Sequence, residues 1–512
     1  MAEGKASTLR EGLRAHLSHG NATHKQETIC RLAAEQGWGA AEQEKLRAYC
    51  EFFTGASAQG YYRVVGRGLA RDDYPLFMTA CVYCYNHDRY REARALLEQF
   101  NPNQAPELDK LEYHAFAGYL TLAGGGPIRE ATRHFDEALD AGLQSPLLAV
   151  NAYPIYFEAG DHERAQRLRQ IIHEHYHEDP EATYAVACVE LARGYYPEGF
   201  RLAEARYRMP EAYRSINAAL LSRPRWQGEN IEGKTVLVHG EQGYGDLIMM
   251  LRYIPEIRRH GCRIVLDCRE AAISLVEHNF PDCKAIPGDL SRPISEPFDL
   301  WTGIMSLPYL FNSTAQTIPA TSGYLTAPEE QTAYWRDRLP NTTSSFGLQR
   351  PRIGLAWSGN PSHRADLRRS LELEQLLPHL ARHPEITFFS LQTSAPPSLP
   401  PNLIDLSEEL VTLADTAALI DQMDLVITVD TSAVHLAGSL GKTTWLLLPH
   451  RYEWRWGLEG EGNPWYQSVQ VLRQSQHGNW QTLLSDIFGE RLTAWLAHFN
   501  LQERPANAPQ AL

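Results

Sequence analysis

Three short segments gather residue types that can hold or move charge. The first, KTVLVHGEQGYGDLIMMLRYIP, reads as a strand, a glycine-bearing turn and an apolar helix, with Asp246 at the start of that helix. Gly243 and Gly245, next to Gln242, permit a tight turn and close backbone approach, and a carboxylate at Asp246 suits a helix cap. The Gly-x-Gly-Asp run lacks the third glycine of the dinucleotide fingerprint, which argues against a nicotinamide site. The second segment, DLVITVDTSAVHLAGSLGK, places Asp430, Thr431 and Ser432 after a buried strand and His435 in the first turns of the next helix. Amides and hydroxyls at such a helix start suit a phosphate or diphosphate, and His435 can donate to the same group. The alternative is an N-cap beside a packed histidine. The third segment, LAWSGNPSHRADLRRSL, puts Asn360, His363, Arg364, Arg368, Arg369 and Ser370 in and after a glycine-containing loop that follows Trp357. Arginine forks match phosphate oxygens, so a nucleotide phosphate is their natural partner; a solvated loop paired with neighbouring acids is the other reading.

Elements of two kinds must position these segments. From about residue 20 to 225 the chain reads as helix after helix, with a 34-residue period: Gly126, Gly160 and Gly194; Ala131, Ala165 and Gly199; Pro146 and Pro180. Small residues are expected where paired helices approach closely, and the prolines are expected to end the second helix of a unit. Asp88 and Ala93 keep the five-residue offset one step upstream, with a step of 38 rather than 34 to the next unit. With AGDHERAQRL and YNHDRYREARALL, this period resembles tetratricopeptide repeats over residues 70–210. Beyond Trp226, short β-branched runs alternate with helices, which predicts parallel sheets with crossover helices. Strands are expected at 235–239 and 263–267, then at 353–357, 386–390, 425–429 and 444–448. The turn-forming run at 338–351 reads as a linker. The fold class is therefore α plus α/β, with a helical repeat solenoid followed by two Rossmann-like lobes whose hinge and facing cleft suggest the GT-B architecture.

Composition narrows the partners. A 512-residue chain with 43% hydrophobic and 21% charged residues is that of an ordinary globular protein of several domains. Its net charge of −14 argues against nucleic-acid and anionic-membrane partners. The first 14 residues carry charge without an apolar core, and no stretch reaches about 18 apolar residues, so a cytoplasmic protein without a membrane span is expected. Eight scattered cysteines, with Cys81 and Cys84 the sole C-x-x-C pair, suit reduced, packed thiols rather than a zinc or redox site.

Taken in order, EQGYGD (241–246), WSGNPSHRADLRRSL (357–371), DTAALIDQMDLVITVDTSAVHLAGSLGK (415–442) and RYEWRW (451–456) resemble family 9, heptosyltransferase-like glycosyltransferases. SLQ at 390–392 and RQ…GNW near 473–480 add to the likeness, which runs over about residues 195–490. It is nearer still to bacterial proteins in which tetratricopeptide repeats precede such a domain. The resemblance implies an inverting, metal-independent transfer from a nucleotide sugar, without a cofactor. It implies that Asp246 is the general base, and that Asp430, Thr431, Ser432 and His435 contact donor phosphates and sugar, Ser432 and Ala433 replacing the more usual Gly-Leu. Arg369 falls near the family's basic residue that offsets leaving-group charge. Asn360, His363, Ser370 and Gln392 join the expected donor side, and Gln242, Gly243, Gly245, Trp357, Glu453, Trp454 and Arg455 the expected cleft. Trp454 and the neighbouring Trp456 suit core packing equally.

The division expected is 1–225 for the repeats, 226–350 for the acceptor-side lobe, 351–490 for the donor-side lobe and 491–512 for a terminal helix end and tail. An acceptor-side lobe of about 125 residues is short, so the repeats are expected to supply part of the acceptor site. The acceptor is expected to be a protein, such as flagellin modified before export, held by the repeats. A lipopolysaccharide or other envelope glycan is the alternative acceptor, and a catalytically inactive repeat scaffold is the alternative class.

Overall fold

The computed structural model describes residues 90–501, with breaks at 98–99, 103–106, 124–125, 143–145, 210–217, 289–293, 341–349, 361–365, 396–397, 451–452 and 477, together with Ala40, Cys81 and Cys84. Asp88, most of the expected linker, the terminal tail and most of the first 89 residues lie outside the described residues. The chain forms two compact units, Met1–Leu168 and Arg169–Leu512, so the expected boundary at 225 falls inside the second.

In the first unit the described helices are α1 (Tyr90–Leu97), α2 (Glu107–Ala123), α3 (Ile128–Asp140), α4 (Pro146–Glu158) and the start of α5 (His162–His175). The α3 helix shows why they pack: Ala131, Phe135, Ala138 and Leu139 recur at helical spacing and are all buried. Gly118 of α2 lets Phe135 lie against its backbone, for a Cβ there would stand 2.5 Å from the ring. Tyr156 of α4 donates to Asp136 of α3 at 2.6 Å. Cys81 and Cys84 are both buried.

The second unit continues with α6 (Pro180–Ala192) and α7 (Tyr196–Ala203), which runs into a 3-10 turn, Glu204–Arg208. The 34-residue rhythm has the expected packing cause at the buried Ala131 and Ala165, but a different one at two of its glycines and at its prolines. Gly160 and Gly194 both have positive φ (75° and 81°) with no atom within 4 Å of an added Cβ. Each ends a helix in the left-handed conformation that glycine adopts without strain, rather than making room for a neighbour. Gly199 does serve close packing, since a Cβ there would meet Leu191 at 2.7 Å. Pro146 and Pro180 open helices instead of ending them: Pro180 takes the first position of α6, where its missing N–H costs nothing, behind Asp179, which accepts from Ala182 N at 2.8 Å.

Two all-parallel sheets follow, confirming the α/β reading of this half. The first has the order β3-β2-β1-β4, from β1 (Thr235–His239), β2 (Arg263–Cys268), β3 (Cys283–Pro287) and β4 (Leu300–Gly303). The second has the order β10-β9-β8-β5-β6-β7, from β5 (Arg352–Ala356), β6 (Thr387–Ser390), β7 (Leu403–Ile404), β8 (Leu425–Val429), β9 (Thr444–Leu448) and β10 (Val469–Arg473). Central strands such as β8 (LVITV) and β9 (TWLLL) are buried at every residue, as strands covered on both faces must be. Each order reverses direction once, between β1 and β4 and between β5 and β8. Those switch points open crevices at the strands' carboxyl ends, where doubly wound sheets bind ligands.

The 3-10 turn after α7 is tied to the first sheet by buried charge. Arg206 donates to both oxygens of Glu241, at 2.7 and 2.9 Å, to Glu204 at 2.7 Å and to Ser306 Oγ at 2.8 Å. Burial opposes ionisation of Glu241, but Arg206 more than offsets it and holds the carboxyl below its ordinary range. Arg206→Ala, which strips Glu241 of its buried cation while Glu204 keeps Arg225 at 3.2 Å, is expected to cost about 3–5 kcal/mol. Urea unfolding followed by tryptophan fluorescence measures it; a loss below about 1 kcal/mol, the range of a solvent-exposed pair, would contradict this role.

Candidate functional site

The β1 switch point carries the first expected segment. After His239 the chain turns through Gly240, Glu241 and Gln242 into α8 (Tyr244–Met250). The left-handed residue of this turn is Gln242 (φ 66°), whereas Gly243 is extended (φ −95°). The non-glycine strain therefore sits beside the expected base, as backbone outliers often do at functional sites. Asp246 reaches back to cap its helix, its Oδ2 accepting from Gly243 N at 3.2 Å.

Gly245 makes room for the other lobe rather than for the turn. A Cβ on it would lie 2.6 Å from Cδ2 and 2.9 Å from Nε2 of His435. His435 sits in α9 (Ser432–Ser439), the helix that follows β8, with Thr431 as its N-cap accepting from Ala433 N at 3.3 Å. His435 is buried, within 2.9 Å of the Tyr466 hydroxyl through Nδ1 and against the Trp456 ring at 5.3 Å. Burial, reinforced by the cationic Arg455, pushes the imidazole down to about 3. His435 is thus a neutral hydrogen-bonding group, not a positive charge for a leaving phosphate.

Arg455 joins the two lobes at this point. It lies in the 3-10 turn Trp454–Trp456, and its Nε donates to Asp246 Oδ1 at 3.0 Å, with Nη2 on the same oxygen and Nη1 on Glu453. The Asp246 and Arg455 side chains are only 13% and 15% exposed. Although burial disfavours the cation, Asp246 and Glu453 hold the guanidinium's pKa above its ordinary value. Burial raises Asp430, which Arg455 and Arg369 partly offset. A second bridge runs from Arg252 of the first lobe, donating to Trp465 O at 2.8 Å with its guanidinium 4.9 Å from the Tyr466 ring centre.

Several expected donor ligands hold their own loop. Arg369 donates to Asp430 O at 2.8 Å and Asp366 at 3.2 Å, and Gly359 leaves it space, an added Cβ falling 2.5 Å from Nη2. Ser370 links Gly359 N (2.9 Å) to Asp366 (2.8 Å). Gln392 accepts from Trp357 N at 3.1 Å and donates to Ser358 Oγ at 2.6 Å. Trp357 is buried in the core of the second lobe, and Trp454 packs on Phe200 at 5.9 Å with Arg455 over its ring. Asn360 is exposed, and His363 and Arg364 lie outside the described residues.

The site therefore brings together Asp246, Asp430, Thr431, Ser432, His435, Glu453 and Arg455. Sequence reasoning missed Arg206, Tyr466 and the face of α6 that carries Tyr184 and Cys188. The charges of Arg455 and Asp246 act on Tyr184, and those of Glu453 and Arg455 on Cys188. Their i, i+4 spacing on one helix was the available signal. Among the described residues no group of three or more His, Cys, Asp or Glu could hold a metal, and no helix is long and apolar enough to cross a membrane.

No protein-family profile matches the chain. Protein FlbA of Caulobacter vibrioides is 25% identical over 332 residues, 59% of this chain and 54% of FlbA, so the chain spans about half the length of the curated relative it matches. Among solved structures, E. coli ADP-heptose LPS heptosyltransferase II superposes with a TM-score of 0.35 at 15% identity, over 52% of this chain and 99% of that one. The O-GlcNAc transferase of Thermobaculum terrenum does so with a TM-score of 0.30 at 10% identity, over 94% and 93%. Superpositions this loose assign no activity.

Gly245→Ala is expected to push the lobes apart at His435 and cost about 1–3 kcal/mol by overpacking; unchanged thermal stability would contradict the close approach. The His435 imidazole, with its pKa near 3, is expected to keep constant ring 15N shifts from about pH 5 to 8, and a titration midpoint near the ordinary 6.5 would contradict its neutral burial.

Proposed function

We propose that the chain is an inverting, metal-independent glycosyltransferase of the GT-B type that takes a sugar from a nucleotide sugar in the cytoplasm. The observation that supports this most is the meeting of the two switch points: Gly245, next to the Asp246 carboxylate, lies against His435 of α9, and Asp246 acts electrostatically on Asp430. In the proposed reaction Asp246 takes the proton of the acceptor hydroxyl, whose oxygen bonds to the anomeric carbon from the face opposite the departing group. The bond from that carbon to the nucleotide diphosphate breaks, and its electron pair leaves on the phosphate. Amides at the start of α9 and hydrogen bonds from Thr431 and Ser432 stabilise the departing charge. His435, neutral and held by Tyr466, contributes a hydrogen bond rather than a charge.

The acceptor is proposed to be a protein such as flagellin, modified on an oxygen and presented by tetratricopeptide-like helices. The nearness of α6 to the site supports this: Tyr184 and Cys188 share the surroundings of Asp246, Arg455 and Glu453. One observation favours a second reading, an inactive binding scaffold. Both Asp246 oxygens already have partners, Arg455 and Gly243 N, as in a purely structural clamp.

Two measurements separate these readings. A nucleoside diphosphate at 100 times its dissociation constant is expected to stabilise the fold by about 2.7 kcal/mol, seen as a rise in melting temperature; no response to any nucleotide or nucleotide sugar would contradict the transferase reading. Asp246→Asn is expected to lower turnover by about 10²- to 10⁴-fold, as for loss of a general base, with EDTA leaving wild-type turnover unchanged. Nucleotide binding with Asp246→Asn turnover equal to wild type would remove Asp246 from catalysis.

A further inference from the structure

Arg455 has one guanidinium to divide between two carboxylates. Toward the first lobe it meets Asp246 Oδ1 through Nε and Nη2. Toward its own turn it meets Glu453 Oε1 through Nη1, while Glu453 Oε2 accepts the Arg455 backbone N–H at 2.9 Å. Glu453 is thereby fixed beside Arg455 by a short local hydrogen bond, independently of Asp246, which arrives from the other lobe 207 positions earlier in the chain (453 minus 246).

The groups around Glu453 come from several elements. Asp430 follows β8, and its carbonyl is held by Arg369. Arg473 at the end of β10 donates to Trp456 O at 2.6 Å and feels the charge of Glu453. Cys188 of α6 is pushed up to about 12, by burial first and then by Glu453. His435 is neutral. Three acids, Asp246, Asp430 and Glu453, thus crowd Arg455, with Arg369 and Arg473 at the margin, and like charges this close resist ionising together. At Glu453, burial pushes the carboxyl up to about 7, Arg455 offsets part of that, and Asp430 adds to it.

We propose that Glu453 is a positioning residue that sets the basicity of Asp246 by competing with it for Arg455. With Glu453 protonated, Arg455 belongs to Asp246 and weakens it as a base. With Glu453 ionised, the guanidinium is shared, and Asp246 gains affinity for the acceptor's proton. The proposal rests on the reading of Asp246 as the general base and adds a group that the reaction itself does not touch. It also gives the clamp a use, since a carboxylate tied by a releasable arginine can be structural at rest and basic in turnover.

The test uses the full chain with the nucleotide sugar that gives the largest thermal shift, following nucleoside diphosphate release in the presence of acceptor. Wild-type kcat/KM is expected to rise through about pH 7. Glu453→Gln is expected to lose that limb and to run about tenfold below wild type at high pH, with Glu453→Asp restoring a limb. A Glu453→Gln profile that keeps the wild-type limb overturns the proposal. Melting temperature supplies a second readout that needs no turnover. A carboxyl whose folded pKa lies above its ordinary 4.5 contributes stability that is fully present below that value and is lost as pH rises through about 7. Wild type should therefore melt progressively lower relative to Glu453→Gln between about pH 5 and 8, and a difference independent of pH overturns the titration on which the proposal depends. If no nucleotide sugar is turned over, the transferase reading fails and the role of Asp246 with it; the melting comparison then still reports whether Glu453 takes up a proton.

Discussion

A carboxylate from one parallel sheet and a guanidinium from the other, both largely withdrawn from water, meet where the two sheets turn their carboxyl ends toward each other. Asp246 without Arg455 would be a nearly buried anion beside Asp430 and Glu453, and Arg455 without Asp246 would keep Glu453 as its direct carboxylate partner, with its guanidinium over the Trp454 ring. The pair therefore fixes how the lobes approach, and other features of the junction follow from it. Gly245 has no side chain because His435 needs its space, and His435 is neutral because that same approach buries it beside Arg455.

The same device recurs on the outer side of the first sheet. Arg206, carried by the turn after α7, satisfies Glu241 at the end of β1, Glu204 in its own turn and Ser306 after β4. Gly303 is constrained by this network: an added Cβ would lie 2.0 Å from the Tyr207 hydroxyl and 2.2 Å from Glu241. A cation from a helical segment thus closes the β1–β4 switch point from outside, much as Arg455 closes it from the second lobe. The α6–α7 helices belong to the second unit for this reason, and their aromatic residues, Tyr196 and Phe200, pack on Trp465 and Trp454.

Strands buried on both faces were legible because they read as short runs of apolar and β-branched residues, and β1, β8 and β9 have the bounds expected for them. The strands that were not legible lack such runs. CKAIP in β3 ends in proline, LWTG in β4 is four residues long, and VQVLR in β10 alternates as an edge strand does. Glycine and proline spacing revealed the helical period, but spacing alone does not distinguish a left-handed cap at Gly160 from a packing site such as Gly199. At the site, Asp246 and the Asp430–His435 stretch stood out because they follow apolar strands. Arg369, Ser370 and Gln392 stood out equally, yet their side chains are occupied in holding the loop after β5. Arg206 was hidden in a charged stretch, EARYR, whose partner lies 35 residues away.

The central claim is that these two switch points form one site for a nucleotide sugar, with its diphosphate on the start of α9. A crystal structure with a nucleoside diphosphate bound tests this most directly. The account predicts phosphate oxygens within hydrogen-bonding distance of the Thr431 and Ser432 amides or hydroxyls, on the side of α9 that faces Asp246. A diphosphate bound elsewhere, with Asp430, Thr431, Ser432 and His435 untouched, would contradict it.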